Sequence, residues 1–216
     1  MSPHLQVSPG ITPEIPRAVE ILRSGGLVAF PTDTFYALGA DALNGAAVRK
    51  VFEAKGRAEG RPVPVLLAEP ADVLRVAREF PALARVLARR YWPGPLTLVL
   101  PATPAVPAEV TAGGGNVGVR VPDHELARTL IRAFGGPVTG TSANRSGGAP
   151  HKDAAGVRAE LGGKLEAILA GECGGHDAPS TVVDFSRALP MVVREGAVSF
   201  QDIAAVVPGV SLKSAR

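Results

Sequence analysis

Phe30-Pro31-Thr32-Asp33-Thr34-Phe35-Tyr36-Ala37-Leu38-Gly39 is the stretch around which the chain is organised. The apolar run Leu27 to Phe30 enters it, and Pro31, which has no N–H, ends that run. Thr32, Asp33, Thr34 and Tyr36 then put three hydroxyls and a carboxylate within five residues. The pattern is a strand running out into a polar loop. Ligands of open α/β sheets bind beyond strand ends of this kind. The same residue types also build ordinary Asx and Ser/Thr turns, so the stretch alone fits both descriptions.

Working outward, Thr12-Pro13-Glu14 reads as a helix start, with Ile15, Ala18, Val19 and Leu22 on one face and Gly25-Gly26 as the stop. Downstream, Asn44 caps a helix through Ala54 that turns Ala47, Val48, Val51 and Phe52 inward. Strands are expected over 63–68, 96–100, 117–121, 137–141, 181–185 and 191–194, and helices over 72–80, 81–91, 126–134, 154–161 and 200–207. Strands and helices alternate without strict βαβ order. That predicts an α/β fold with a twisted mixed sheet and flanking helices. The glycine-rich 171–179 segment reads as a mobile loop.

The 216 residues suffice for one large domain, expected over 12–207, with an N-terminal extension over 1–11 and a tail over 208–216. Cys173 is the single cysteine, which excludes a disulfide within one chain and fits a cytoplasmic location. The opening MSPHLQVSPG is polar and proline-broken, unlike a secretory signal. The net charge of +3 does not by itself imply nucleic acid, although the basic residues are skewed to 18 Arg against 5 Lys.

Several segments carry chemistry. Gly113 to Gly118 matches G-x-G-x-x-G as text, but a strand pattern follows where a dinucleotide site needs a helix, so the glycines read as a hinge or lid. Lys55, Arg57 and Arg61 stand at a helix exit, where cations hold an anion or satisfy the helix C-terminus. Arg120 lies inside an apolar strand pattern, where an unpaired charge is costly, so it needs an anionic partner from the protein or a ligand. Arg194 has the same character, with Glu195 as the surface alternative. Gly140 to Gly148, small and rich in hydroxyls, follows a strand and suits an anion nest, and Ser180-Thr181 repeats the theme. His4, His124, His151 and His176 show no metal-ligand spacing, and no nucleophile elbow is present. The inventory favours anionic ligands held by positioning groups, without a covalent nucleophile.

Together these pieces resemble the YrdC-like family, the threonylcarbamoyl-adenylate synthases. The family pattern is matched by PTDTFYALG at 31–39, KGR at 55–57, RVP at 120–122, SAN at 142–144, STVVD at 180–184 and VREG at 193–196. The resemblance implies a twisted α/β sheet around a deep, positively charged cavity. It implies synthesis of threonylcarbamoyl-AMP from L-threonine, bicarbonate and ATP with Mg²⁺, for transfer by a partner enzyme to adenosine 37 of tRNAs that read ANN codons. By the same resemblance, Thr34, Arg120, Gly140 and Ser180 hold threonine, with Arg120 on its carboxylate. Lys55, Arg57, Arg61, Asn116, Ser142, Asn144 and Arg194 hold ATP. Lys55, Arg57 and Arg120 supply position and charge rather than a defined catalytic group, and the metal site is unassigned.

The chain departs from the family at Ala58, where many members have Pro, and at Leu66, where many have His. It also ends before the second C-terminal domain of the longer members, so none is expected. Two alternatives stand beside the synthase. One is a non-catalytic RNA-binding protein of the same fold, with weak tRNA affinity. The 5% aromatic content offers it no stacking platform. The other is a relative that adenylates carbamoyl groups, a reaction found within much larger chains.

Overall fold

The computed structural model describes residues 14–58 and 60–213. In chain order the helices are α1 (Glu14–Arg23), α2 (Gly45–Lys55), α3 (Ala82–Tyr91), α4 (Ala108–Thr111), α5 (Glu125–Phe134), α6 (Ala154–Leu161) and α7 (Phe200–Val206). The strands are β1 (Val28–Phe30), β2 (Ala37–Gly39), β3 (Val65–Leu66), β4 (Leu96–Pro101), β5 (Asn116–Arg120), β6 (Val138–Thr139), β7 (Thr141–Ser142), β8 (Ala167–Ile168), β9 (Thr181–Asp184), β10 (Met191–Arg194) and β11 (Ser211–Leu212).

The strands form two mixed sheets. The larger has the order β11-β10-β9-β4-β5-β3-β6, the smaller β7-β2-β1-β8. In the larger, β3–β5 and β4–β9 run parallel while β4–β5, β3–β6 and β9–β10 run antiparallel. The α/β class with mixed sheets and flanking helices is therefore as the sequence predicts.

The opening stretch is a hairpin rather than a strand with a free loop. Phe30 faces Ala37 and Val28 faces Gly39 across β1 and β2. Alternate residues of this hairpin serve two apolar layers. Val28, Phe30 and Ala37 pack with Ile15, Ala18, Val19 and Leu22 of α1 and Leu130 of α5. Ala29, Tyr36 and Leu38 pack with Ala47 and Val51 of α2 and Val157 and Leu161 of α6. Burial on both faces explains why 27–30 reads as a continuous apolar run. Gly39 is required at its place, because a Cβ there would lie 2.6 Å from Phe30 and 2.8 Å from Val138. The third and largest cluster lies around α3, β4 and β5.

Gly140 alone separates β6, in the larger sheet, from β7, in the smaller. The chain changes sheet there, and the seam is pinned by Thr139. Its N–H bonds Ala40 O at 2.9 Å, and its Oγ1 accepts from Ala40 N and donates to Leu38 O.

Some expectations need correction. The 63–68 strand shrinks to two residues, because Pro62 and Pro64 have no N–H for a ladder and Val63 N bonds Val110 O instead. The 72–80 helix is a 3₁₀ segment, Pro70–Arg75. Beyond it Arg78 N bonds Pro101 O and Thr103 N bonds Val76 O, which draws the backbone away from a helix. The expected cap at Thr12 lies outside the described residues. The expected cap at Asn44 is present, its side chain accepting from Ala46 N and Ala47 N, and Asp153 caps α6 by accepting from Gly156 N.

The 171–175 segment is packed onto the opening loop. Gly174 N bonds Thr32 O at 2.9 Å, and a Cβ on Gly174 would lie 2.7 Å from Asp33 Cα. His124 Nε2 meets Glu172 O at 2.9 Å. Tyr36, fully buried, donates to Gly171 O at 2.7 Å, with Leu169 O at 3.2 Å. Burial, then Cys173, pushes the Tyr36 phenol up to about 12, so it remains a donor at neutral pH. Tyr36→Phe is expected to lower stability by about 1–2 kcal/mol, read as a lower urea midpoint at unchanged slope.

Candidate active site

A cavity of about 220 Å³ opens at the seam between the sheets. Thr34, Arg57, Arg120, Gly140, Ser142, Ser180 and Arg194 line it. An adjoining cavity of about 330 Å³ is lined by Asn116 and shares Pro62, Pro64, Thr97 and Arg194 with the first. The structure thus brings together eight of the eleven residues named from the sequence.

Arg120 is at the centre. Its side chain is buried, and Nη2 pairs with Asp33 Oδ1 at 2.5 Å. Nε donates to Gly94 O at 3.0 Å, and Nη1 to Thr34 Oγ1 at 3.2 Å. The required anionic partner is therefore a carboxylate of the opening loop itself. Asp33 Oδ2 is buried and finds no partner among the described residues. A guanidinium carries five N–H groups. The three bonds leave one N–H on each Nη, the fork that a planar carboxylate accepts.

The opening loop serves both as a turn and as a wall. Thr32 Oγ1 donates to Phe35 O at 2.7 Å and lies 3.2 Å from Thr34 N. With its hydrogen committed, Thr32 Oγ1 accepts from Thr34 Oγ1 at 3.2 Å. Thr34 Oγ1 is left as an acceptor facing the cavity, with one lone pair on Arg120.

Arg57 follows the left-handed Gly56 that ends α2, where Arg57 N bonds Phe52 O. Its guanidinium lies over the Phe52 ring at 5.9 Å and donates to Pro62 O at 3.0 Å and Thr141 Oγ1 at 3.4 Å. Nε is buried without a partner among the described residues. Burial, then the neighbouring Arg61, presses Arg57 below its ordinary range. An anion in the cavity relieves both effects. Arg194 bonds Ser180 O at 2.8 Å and Ser180 Oγ at 3.1 Å, in place of the surface pair with Glu195.

The remaining three named residues do not reach the cavity wall. Lys55 is 4% exposed and donates to Ser142 O, to Asn144 O at 2.7 Å and to Asn144 Oδ1 at 3.4 Å. Burial, then Arg57, lowers the Lys55 amine to about 8. Asn144 bonds Arg145 O and Gly148 O through Nδ2, both at 2.8 Å, and Ser142 Oγ through Oδ1 at 2.5 Å. Lys55 and Asn144 thus shape the 142–148 loop from behind. Arg61 is exposed, and its carbonyl lies 3.4 Å from Arg57 Nη2. The sequence reading missed Asp33 as the partner of Arg120. It also missed Thr97, whose Oγ1 lies 2.9 Å from Ser180 Oγ. A buried threonine within the apolar Leu96 to Leu100 run was its signal.

The family model Sua5-YciO-YrdC, described as "Telomere recombination", matches residues 20–196. The chain belongs to this family. The threonylcarbamoyl-AMP synthase of Pyrococcus abyssi is 40% identical over 92% of this chain and 58% of that protein. The threonylcarbamoyl-AMP synthase of Bacillus subtilis is 40% identical over 90% of this chain and 57% of that protein. The crystal structure of P. abyssi Sua5 complexed with L-threonine superposes with a TM-score of 0.89 at 40% identity, over 93% of this chain and 59% of that one. The chain thus spans less than three fifths of the length of these relatives.

Two outcomes test this geometry. Asp33→Ala leaves the buried Arg120 charge unpaired and is expected to cost about 3–5 kcal/mol in urea denaturation, with a smaller loss for Asp33→Asn. The second concerns Glu160 of α6, which pairs with His151 and accepts Arg145 N at 3.0 Å, tying the 142–148 loop to α6. His151, then the Arg145 N–H, holds the Glu160 carboxyl below its ordinary 4.5. The unfolded chain therefore binds the proton first as pH falls, so the contact stabilises above 4.5 and is lost through the lower folded value. The difference in Tm between wild type and Glu160→Gln is expected to be open at neutral pH and to close in acid. A difference that does not change with pH contradicts this role.

Proposed function

We propose that the chain is an L-threonylcarbamoyladenylate synthase. Threonine, bicarbonate and ATP give threonylcarbamoyl-AMP, pyrophosphate and water. The observation that carries this reading is the convergence of Arg57, Arg120 and Arg194 with Thr34, Ser142 and Ser180 on one cavity, in a chain of this family.

In this reading the amine of threonine attacks bicarbonate, and a carbamate forms as water leaves. A carbamate oxygen then bonds the α-phosphorus of ATP as the bond to pyrophosphate breaks. The protein aligns three ligands and stabilises developing charge. Arg120 takes the threonine carboxylate on its two remaining N–H groups, and Thr34 Oγ1 accepts from the amine. Gly140 and Ser180 complete that end. Arg57, Ser142, Arg194 and Asn116 take the nucleotide, with Arg61 reaching the phosphates from the surface. Lys55 and Asn144 fix the loop that presents Ser142.

Mg²⁺ enters on the ATP phosphates as part of the substrate. The catalytic domain is proposed to be 12–207, acting in the cytoplasm. The product passes to a tRNA threonylcarbamoyl transferase, with at most weak tRNA binding by the chain itself. No helix among the described residues is long and apolar enough to cross a membrane.

The test is pyrophosphate release from Mg-ATP with and without L-threonine and bicarbonate, with mass detection of the adenylate. Release that needs both supports the synthase. Release without threonine points to another acceptor. Arg57→Ala is expected to lower turnover at least about 100-fold while the circular dichroism spectrum is kept. Normal turnover by that variant sinks the assignment.

A further inference from the structure

The amino-acid end of the cavity has one nonpolar wall, and its position beside Arg120 bears on which amino acid is taken. Leu66 and Arg120 are direct partners in the parallel pairing of β3 with β5. Paired residues project from the same face of a sheet, one strand spacing apart. Both line the cavity. On its other side Leu66 pairs with Val138 of β6, and Gly140, two residues on, also lines the cavity.

Leu66 and Gly140 are coupled by shape. A Cβ on Gly140 would lie 2.4 Å from Leu66 Cγ and 2.7 Å from Cδ2. No side chain fits at 140 while leucine stands at 66, so the isobutyl group fills that space. Gly140 N bonds Pro64 O at 2.7 Å, which sets a second nonpolar cavity residue, Pro64, beside it. Leu66 is itself anchored in the apolar layer of Phe30, Val138 and Leu130.

An α-amino acid with its carboxylate on Arg120 carries Cβ only two bonds from the carboxylate carbon. Its side chain can then lie beside the Leu66 wall, which offers no hydrogen bond to a hydroxyl, while the hydroxyls at this end are engaged, Ser180 Oγ by Arg194 and Thr97 and Thr34 Oγ1 by Arg120 and the amine. We propose that this pocket selects its amino acid by the carboxylate and by β-branched shape, and that L-valine is accepted alongside L-threonine. The inference rests on the synthase reading. The bonds made and broken are the same for both amino acids. The amine gains the bicarbonate carbon with loss of water, and a carbamate oxygen displaces pyrophosphate from the α-phosphorus. The β-hydroxyl takes no part.

The experiment compares kcat/KM for L-threonine and L-valine by bicarbonate-dependent pyrophosphate release, with mass detection of each adenylate. A site built to bind a hydroxyl rejects the analogue lacking it by about 10⁴–10⁵, whereas a nonpolar pocket discriminates by about 100-fold. A threonine-to-valine ratio below about 1,000 is expected, and a larger ratio overturns the inference while leaving the synthase intact. The absence of threonine-dependent release removes the synthase reading and this inference with it. Leu66→Asn, close to leucine in volume but polar, is expected to raise the ratio at least tenfold by supplying a partner for the hydroxyl. An unchanged ratio in that variant overturns the role given to Leu66. Should the variant fail to fold, the wild-type ratio decides alone.

Discussion

The burial of Arg120 on Asp33 sets the terms for the rest of the site. A guanidinium within an apolar sheet is tolerated only when paired and hydrogen-bonded. Here the pair links the end of β5 to the loop between β1 and β2, that is, the larger sheet to the smaller. The pairing also orients the fork. Gly94 O, Thr34 Oγ1 and Asp33 Oδ1 take three of the five N–H groups and leave the other two available to a ligand. The charge is thus held in place before any substrate arrives, which lowers the reorganisation required on binding.

The seam at Gly140 imposes the second constraint. A chain that leaves one sheet and enters another within a single residue has no room for a side chain there, and Leu66 takes the space. The cavity lies at this passage, lined by Leu66 and Gly140 together with Ala37, Thr141 and Ser142 of the smaller sheet. The 171–175 segment then closes the far side of the opening loop through Gly174 and Tyr36. Gly174 is needed because a Cβ there would lie 2.7 Å from both the α-carbon and the carbonyl oxygen of Asp33.

Much of this was legible in the sequence where the signal is local. The α1 face, the Asn44 cap, the α6 span and the longer strands of the larger sheet, β4, β5, β9 and β10, follow from periodicity and capping chemistry. In the smaller sheet β1 was legible as the apolar run 27–30, whereas the short β2 and β8 were not. Ala37-Leu38-Gly39 has no alternation and is a strand because it lies between β1 and Thr141-Ser142, the latter about a hundred residues on. The site was legible as an inventory and less so as an arrangement. Arg120 was seen to need an anion, but no local pattern says that Asp33 supplies it. Lys55 and Arg57, two residues apart, look alike as cations and have different surroundings, because Gly56 reverses the chain between them.

That difference divides the work of the cationic segment. An ammonium is a compact charge with three donors, and at position 55 it is surrounded by three loop oxygens. Buried there, it costs desolvation, visible in its lowered pKa, and in return it fixes the backbone that carries Ser142 and Asn144. A guanidinium at 55 would be too large for those carbonyls, and an ammonium at 57 would lack the planar face that lies on Phe52. The order Lys-Gly-Arg thus follows from geometry. The first cation builds the loop, the glycine turns the chain, and the second cation lines the cavity, with its Nε unpaired among the described residues.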